Sequence, residues 1–244
     1  GAWAFIPAYL QAKRGSHVVI TTIMFNFIAS SLMIYLLVDV IRDTNQMGPH
    51  TIAVAKEWWF PTFKEFGELI GIKVRYSPLN LSFLLAIAAS VFVWFLVWRT
   101  KWGYEMRAVG HNTQAAIYAG ISPYKNIIIA MVISGGLAGL LAINEVLGVH
   151  HKIVSGFPAG YGFTGIAVAL MGRNHPIGIF PAALLFGILY QGGSEVTFDM
   201  PNISRYMFVA VQGVIILFSG ALENLFRPQV ESFFVNKLNI RKKG

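Results

Sequence analysis

Charge is what this chain has least of. Lys, Arg, Asp and Glu make up 12% of its 244 residues, against 55% hydrophobic, where a soluble domain carries about 25% charged. Mean hydropathy is +0.59, so the solvent this composition suits is lipid. Cysteine is absent, which excludes a disulfide framework and any thiolate metal site. No G-x-x-x-x-G-K-S/T run occurs, so a phosphate-cradling loop of that kind is missing. No H-E-x-x-H occurs, and neither Ser134 nor Ser219 stands in a G-x-S-G setting. Zincin and intramembrane serine-protease chemistry are therefore disfavoured. His150 and His151 are adjacent and point apart; they read as outer loop residues, and no metal site is expected. No catalytic constellation emerges, and no enzymatic activity is expected of this chain.

The net charge is +8. In a soluble protein that would raise a nucleic-acid reading. Here the basic residues flank apolar runs, so topology accounts for them and no nucleic-acid partner is expected. The first residues, "GAWAFIPAYL", lack the charged and apolar zones of a signal peptide. They read as the middle of something, and further spans are expected ahead of them.

What is abundant is apolar sequence in runs of spanning length. About 20 mostly apolar residues cross a bilayer as a helix. The runs 18–41, 79–98, 124–147, 176–191 and 205–222 are read as spans. Trp94 and Trp98 mark an interface at one end of the second. Between the third and fourth lies "GYGFTGIAVALMG", Gly160–Gly172, too short to cross as a straight helix and bracketed by glycine. It reads as a short or broken helix over 161–172, which only surrounding protein or a wet cavity can tolerate at membrane depth. The expected fold is an all-α membrane protein of about six crossings in one transmembrane domain over 1–244. Lys13, Arg14, Arg99, Lys101, Arg107, Lys125, Arg173, Arg227, Lys237, Arg241, Lys242 and Lys243 fall on one side if the 99–124 connection is cytoplasmic. Both ends of the chain are then cytoplasmic. The loop over 42–77 carries Trp58, Trp59, Phe60, Phe63 and Phe66, a belt on the bilayer surface or a partner surface. The C-terminal "NKLNIRKKG" is a solvated tail or a patch for anionic lipid.

Polar residues at membrane depth are expensive. Thr22 and Asn26 are four apart and share a helix face. Asn26 must bond a neighbouring helix or line a wet path. Asn144 and Glu145 end the third span, at the interface or at a substrate entrance. Gly135 and Gly139 form a G-x-x-x-G pair, which serves close helix packing or marks a broken path. With Gly162 and Gly165 of the short segment, the candidate path is Thr22, Asn26, Gly135, Gly139, Asn144, Gly162 and Gly165.

One polar stretch, "RAVGHNTQAAIYAGI" from Arg107 to Ile121, is too polar to span. Asn112 can cap a helix, "TQAAIYA" gives about two turns, and Gly120 stops it. Ser122 and Pro123 then open the third span. Ala115, Ala116 and Ala119 leave a smooth face, while Ile117 and Tyr118 project. The result is either a turn lying on the membrane surface or a short handle that another protein grips.

"GHNTQAAIYAGI" with the following "SGGLAGLLA" resembles the permease subunits of bacterial ABC importers for branched-chain amino acids, ribose-like sugars and nucleosides. "VITTIMFNFIA" and "GFTGIAVALMGRNHPIG" resemble two further signatures of that family. The first and third blocks are most similar to the simple-sugar and nucleoside branch. His17 and Val18 stand where that branch is expected to carry an acidic residue. The resemblance implies a permease of the bacterial inner membrane that imports a nucleoside or simple sugar by alternating access. It implies cytoplasmic ATP-binding subunits, a second permease subunit, an extracytoplasmic solute-binding protein and contact with membrane lipid. ATP and Mg would sit on the partner ATPase, with no cofactor on this chain. It also makes the loop helix a coupling helix, with Gly110, Asn112, Ala115, Ala116, Tyr118 and Gly120 as its candidate residues. The alternatives are a branched-chain amino acid permease, and a self-sufficient channel or scaffold without an ATPase.

Overall fold

The computed structural model describes residues 1–42, 48–65, 79–157, 160–200, 206–215 and 217–218. Phe66 of the aromatic loop, the C-terminal basic stretch and much of the expected last span lie outside the described residues. The architecture is helical, and the chain is an all-α membrane protein. Among the described residues, four helices are long and apolar enough to cross a membrane: Val18–Val40, Ser82–Arg99, Pro123–Val149 and Pro176–Phe198. Tyr161–Met171 and Tyr206–Ile215 are apolar but shorter. The buried share of the 18-residue apolar stretch in each long helix runs from 0% in Ser82–Arg99 to 17% in Pro176–Phe198. Apolar surface on that scale is covered by lipid or by other protein.

The chain divides into two compact units, Gly1–Ala159 and Gly160–Gly244. The first begins with α1 (Ala2–Arg14), a helix the composition of its stretch did not announce. Gly15 ends it at φ +65°, its N–H bonding the Gln11 carbonyl at 3.1 Å, the left-handed stop that glycine permits. α2 (Val18–Tyr35) follows and closes in a π-helical turn, Leu36–Val40. α1 packs on α2, with Trp3 edge-on to Phe25 at 5.9 Å. It also packs on α6 (Pro123–Ala142), where a Cβ built on Gly135 would stand 2.5 Å from the Ala4 Cβ. Glycine at 135 is therefore a close-packing residue. Gly139, its partner in the G-x-x-x-G pair, faces open space.

α3 (Ser82–Arg99) descends to a corner at Thr100, and α4 (Lys101–His111) turns away from it. The short α5 (Thr113–Tyr118) leads into α6, which is extended by a π-helical stretch, Ile143–Val149. The connection read from sequence as one short helix thus holds two. The described part of the loop before α3 is braced on the far end of α6. Phe60 N–H donates to the Leu147 carbonyl at 3.0 Å and Val54 N–H to that of His151 at 2.8 Å. Trp59 stacks on His151 at 3.7 Å.

In the second unit, α7 (Tyr161–Met171) and α8 (Pro176–Asp199) form a hairpin. The fourth apolar run is thus a 24-residue helix that continues beyond 191. Gly172 and Gly178 press together, a Cβ on either meeting backbone at 2.5 Å or less. Val168, Ala182 and Phe186 form its small buried cluster, with Met171 and Ile179 against it. α9 (206–215) touches α8 where Phe208 covers Gly193.

Candidate functional site

Three features of the first unit carry polar chemistry: the corner α4–α5–α6, a cleft beside Asn26, and a cluster at the far end of α6. At the corner, Asn112 adopts extended backbone and its Oδ1 accepts from Ala115 N–H at 3.0 Å. That is the cap its sequence position suggested. Gly120 stands at φ +76°. Its N–H bonds the Ile117 carbonyl and Ile121 N–H bonds the Ala116 carbonyl, both at 2.9 Å. This paired bonding is a Schellman stop, which needs a left-handed residue at 120. Ser122 then caps α6 through its backbone alone, with Pro123 at the first position.

The alanine face of α5 is divided. Ala116 is 3% exposed, packed within the chain, whereas Ala115 lies outward. Ile117 is 50% exposed and Tyr118 92%. The projecting group on this handle is therefore Tyr118. Gly110 and Asn112 are exposed as well.

Two residues that sequence reasoning passed over fasten the corner. Asn126 is 4% exposed, and its Nδ2 donates to the Ser122 carbonyl at 3.0 Å and, at the long end of the range, to Glu105 Oε2 at 3.5 Å. Glu105 also pairs with Lys101 at 3.9 Å. Gly103 permits the turn out of α3, since a Cβ there would lie 2.2 Å from the Leu96 carbonyl oxygen. Thr100 Oγ1 donates to that carbonyl at 2.6 Å and accepts from Gly103 N–H at 3.1 Å. A Thr three residues before a Gly at a helix start was the available signal for Thr100. Nothing local signalled Asn126.

The cleft has a volume of about 360 Å³ and lies between α1, α2 and α6. It brings together Thr22, Asn26 and Gly135 of the sequence-derived path, and adds Ser134, Trp3 and Phe25. Thr22 Oγ1 is spent on its own helix, bonding the Val18 carbonyl at 2.9 Å. Asn26 is exposed on the helix surface. Asn144 is not in this cleft. It sits in the third feature, where its Oδ1 accepts from Asn80 Nδ2 at 3.2 Å and from Ser82 Oγ at 2.6 Å. Asn80 also accepts from Ser82 N–H at 3.2 Å and touches its hydroxyl. Asn144 Nδ2 reaches Glu145 Oε1 at 3.1 Å, and Glu145, 8% exposed, faces His150 at 3.6 Å. The Glu145 carboxylate is thus held inside the protein. Gly162 and Gly165 lie on α7 in the second unit, each facing open space. Among the described residues no group of three His, Cys, Asp or Glu side chains converges on a metal position.

A helical membrane protein with several spans and a capped, glycine-stopped helix between two of them defines the class. The chain belongs to the branched-chain amino acid transport system / permease component family, which matches residues 1–220. It is 37% identical over 219 residues to the guanosine ABC transporter permease protein NupP of Bacillus subtilis, covering 89% of this chain and 60% of that one. It is 32% identical over 242 residues to the glucose ABC transporter permease protein TsgB13 of Haloferax volcanii, covering 97% and 62%. It is 35% identical over 219 residues to the nucleoside ABC transporter permease protein NupB of Lactococcus lactis, covering 85% and 57%. The chain thus spans about three-fifths of the length of the curated relatives it matches. No solved structure matches it.

Proposed function

We propose that this chain is the membrane-spanning permease subunit of an ATP-driven importer for a nucleoside or a simple sugar. The observation that carries the reading is the handle. Tyr118 stands 92% exposed on a helix whose own Ala116 is buried and whose ends are locked by Asn112 and Gly120. Such stops suit a lever moved by another protein, because slack at either end would lose the motion. The printed names of the relatives, for guanosine, nucleosides and glucose, support the solute class.

On this reading the handle faces the cytoplasm and docks on an ATP-binding subunit. That partner carries the ATP and Mg, while a second permease subunit and an extracytoplasmic solute-binding protein complete the assembly. The short α7 counts as a crossing, and the whole resides in a bacterial inner membrane with both ends of the chain cytoplasmic. Ala116 is a poor probe of docking, since a bulky residue there would first disturb the chain's own packing. Tyr118→Asp is the better one. It should cut ATP-driven uptake at least tenfold, with normal amounts of permease in the membrane and less ATPase co-purifying. Unchanged uptake in Tyr118→Asp refutes the docking.

A further inference from the structure

We infer that α3 and the α6 rod move as a single rigid lever, held by one polar clasp at each end, with Asn144 and Asn126 as the positioning residues. The inference rests on the importer reading above and assigns Asn144 to the lever instead of the solute path.

The first observation is where the two helices meet. The contacts of α3 with the rod Pro123–Val149 concentrate on its π-helical end, and α4 bridges the other end. The 27-residue rod is about 40 Å long. Without continuous packing along that length, the end contacts decide whether the helices slide or stay together.

Both ends are built to stay. At the far end Asn80 is 6% exposed, and it meets Asn144 and Ser82 in one hydrogen-bonded set. Gly148 makes room for it, since a Cβ there would lie 2.3 Å from Asn80 Nδ2. At the corner end Asn126 is 4% exposed, bonds the Ser122 carbonyl at 3.0 Å and reaches Glu105 on α4 at the long distance of 3.5 Å. α4 in turn is fixed to α3 through Thr100 and the close approach of Gly103. Buried polar groups that lose their partners are left unsatisfied, so neither end slips cheaply.

The lever also reaches the loop before α3. Leu81 N–H bonds the Pro61 carbonyl at 3.1 Å, Phe60 N–H bonds that of Leu147, and Trp59 lies on His151. Motion of the α5 handle therefore arrives at this loop, about the length of the rod away, as rigid-body displacement. By linkage, a partner bound at the loop biases the handle by the same free energy.

This chain has no cysteine, so paired cysteines can be placed cleanly. In the assembled transporter in proteoliposomes, Ser82→Cys with Asn144→Cys, and separately Glu105→Cys with Asn126→Cys, are bridged by a short bifunctional thiosulfonate. The single-cysteine variants, treated alike, serve as controls. Each bridged protein should keep at least half of its unbridged ATP-driven uptake. Uptake that falls below half on bridging and returns on reduction overturns the lever alone. No ATP-driven uptake by the parent, cysteine-free transporter overturns both the lever and the importer reading. Breaking the far clasp with Asn144→Leu should lower the ratio of solute moved to ATP hydrolysed at least fivefold, with hydrolysis within twofold of normal. Ser82→Thr, which keeps the hydroxyl, should leave the ratio unchanged. A ratio unmoved by Asn144→Leu overturns the inference.

Discussion

Gly103 and Gly110 lie in the same helix, and the same substitution should move stability in opposite directions at the two. At Gly103 an added Cβ would meet the Leu96 and Val97 carbonyl oxygens at 2.2 and 2.3 Å, where real Cβ atoms do not come within 3.0 Å. Both obstacles are backbone, so no side chain can swing aside. The α3–α4 corner has to open, straining the Thr100 bonds to Leu96 and Gly103 as it does. Overpacking of this kind costs about 1–3 kcal/mol, and a weakened hydrogen bond adds about 1 kcal/mol. Gly103→Ala should therefore destabilise by about 2–4 kcal/mol. At Gly110 nothing lies within 4 Å and the backbone is helical. Gly110→Ala removes only the entropic handicap of glycine and should stabilise by about 0.5–1 kcal/mol. At about 2–4 °C per kcal/mol for a chain of this size, the midpoints separate by roughly 10 °C. Thermal unfolding in detergent, followed by tryptophan fluorescence, reads the difference. A Gly103→Ala midpoint equal to that of the parent would refute the corner. A fall for Gly110→Ala would refute the helix that holds it.

The handle makes a second matched pair. Asn112→Ala loses the bond to Ala115 N–H and should cost about 1 kcal/mol. Gly120→Ala enters empty space, so its cost, about 1–2 kcal/mol, is the left-handed backbone alone. Both changes should raise hydrogen exchange across 113–121 and leave 161–171 untouched. Gly135→Val drives a branched side chain into Ala4 and should lift α1 from α6, seen as faster exchange over 2–14. If that exchange is unchanged, α1 does not seat on Gly135. Asn26→Leu should reduce uptake at least fivefold while the transporter still assembles. Loss of assembly instead would assign Asn26 to a helix partner.

How much of the fold was legible follows from what each signal depends on. The long spans depend on apolar run length, a local sum, and their starts at Val18, Ser82, Pro123 and Pro176 were readable within a few residues. α1 was not, because its apolar part is short and contains Pro7, and only its seat on Gly135 and Phe25 explains it as a helix here. α4 was missed for a related reason. Its stretch, "KWGYEMRAVGH", holds two glycines and several charges, and reads alone as a turn. Tertiary packing at Gly103 overrides that propensity. The fourth span ran longer than its apolar core because polar Gln191, Ser194 and Glu195 continue the same helix, with Gln191 bonded to Glu195 at 3.1 Å.

The asparagines show where reading a site from sequence stops. Asn112 was assigned correctly because its partner, Ala115, is three residues away, and a cap is a local pattern. Asn144 was placed in the solute path because a polar group at the end of a span has to be satisfied somewhere. Its partners Asn80 and Ser82 are 64 and 62 residues distant, and no spacing rule connects them. Asn126 was overlooked for the same reason, its acceptor Glu105 lying 21 residues back on a helix that had not been recognised. Thr22 and Asn26 share a helix face and both line the cleft, yet their polar groups are used differently. Thr22 bonds its own turn and is neutral to its surroundings. Asn26 does not, and it opens on the cleft. In lipid an amide so exposed is costly. Of Asn26, Asn112, Asn126 and Asn144, Asn26 is thus the one whose position calls for a function, and the other three are accounted for by the architecture that surrounds it.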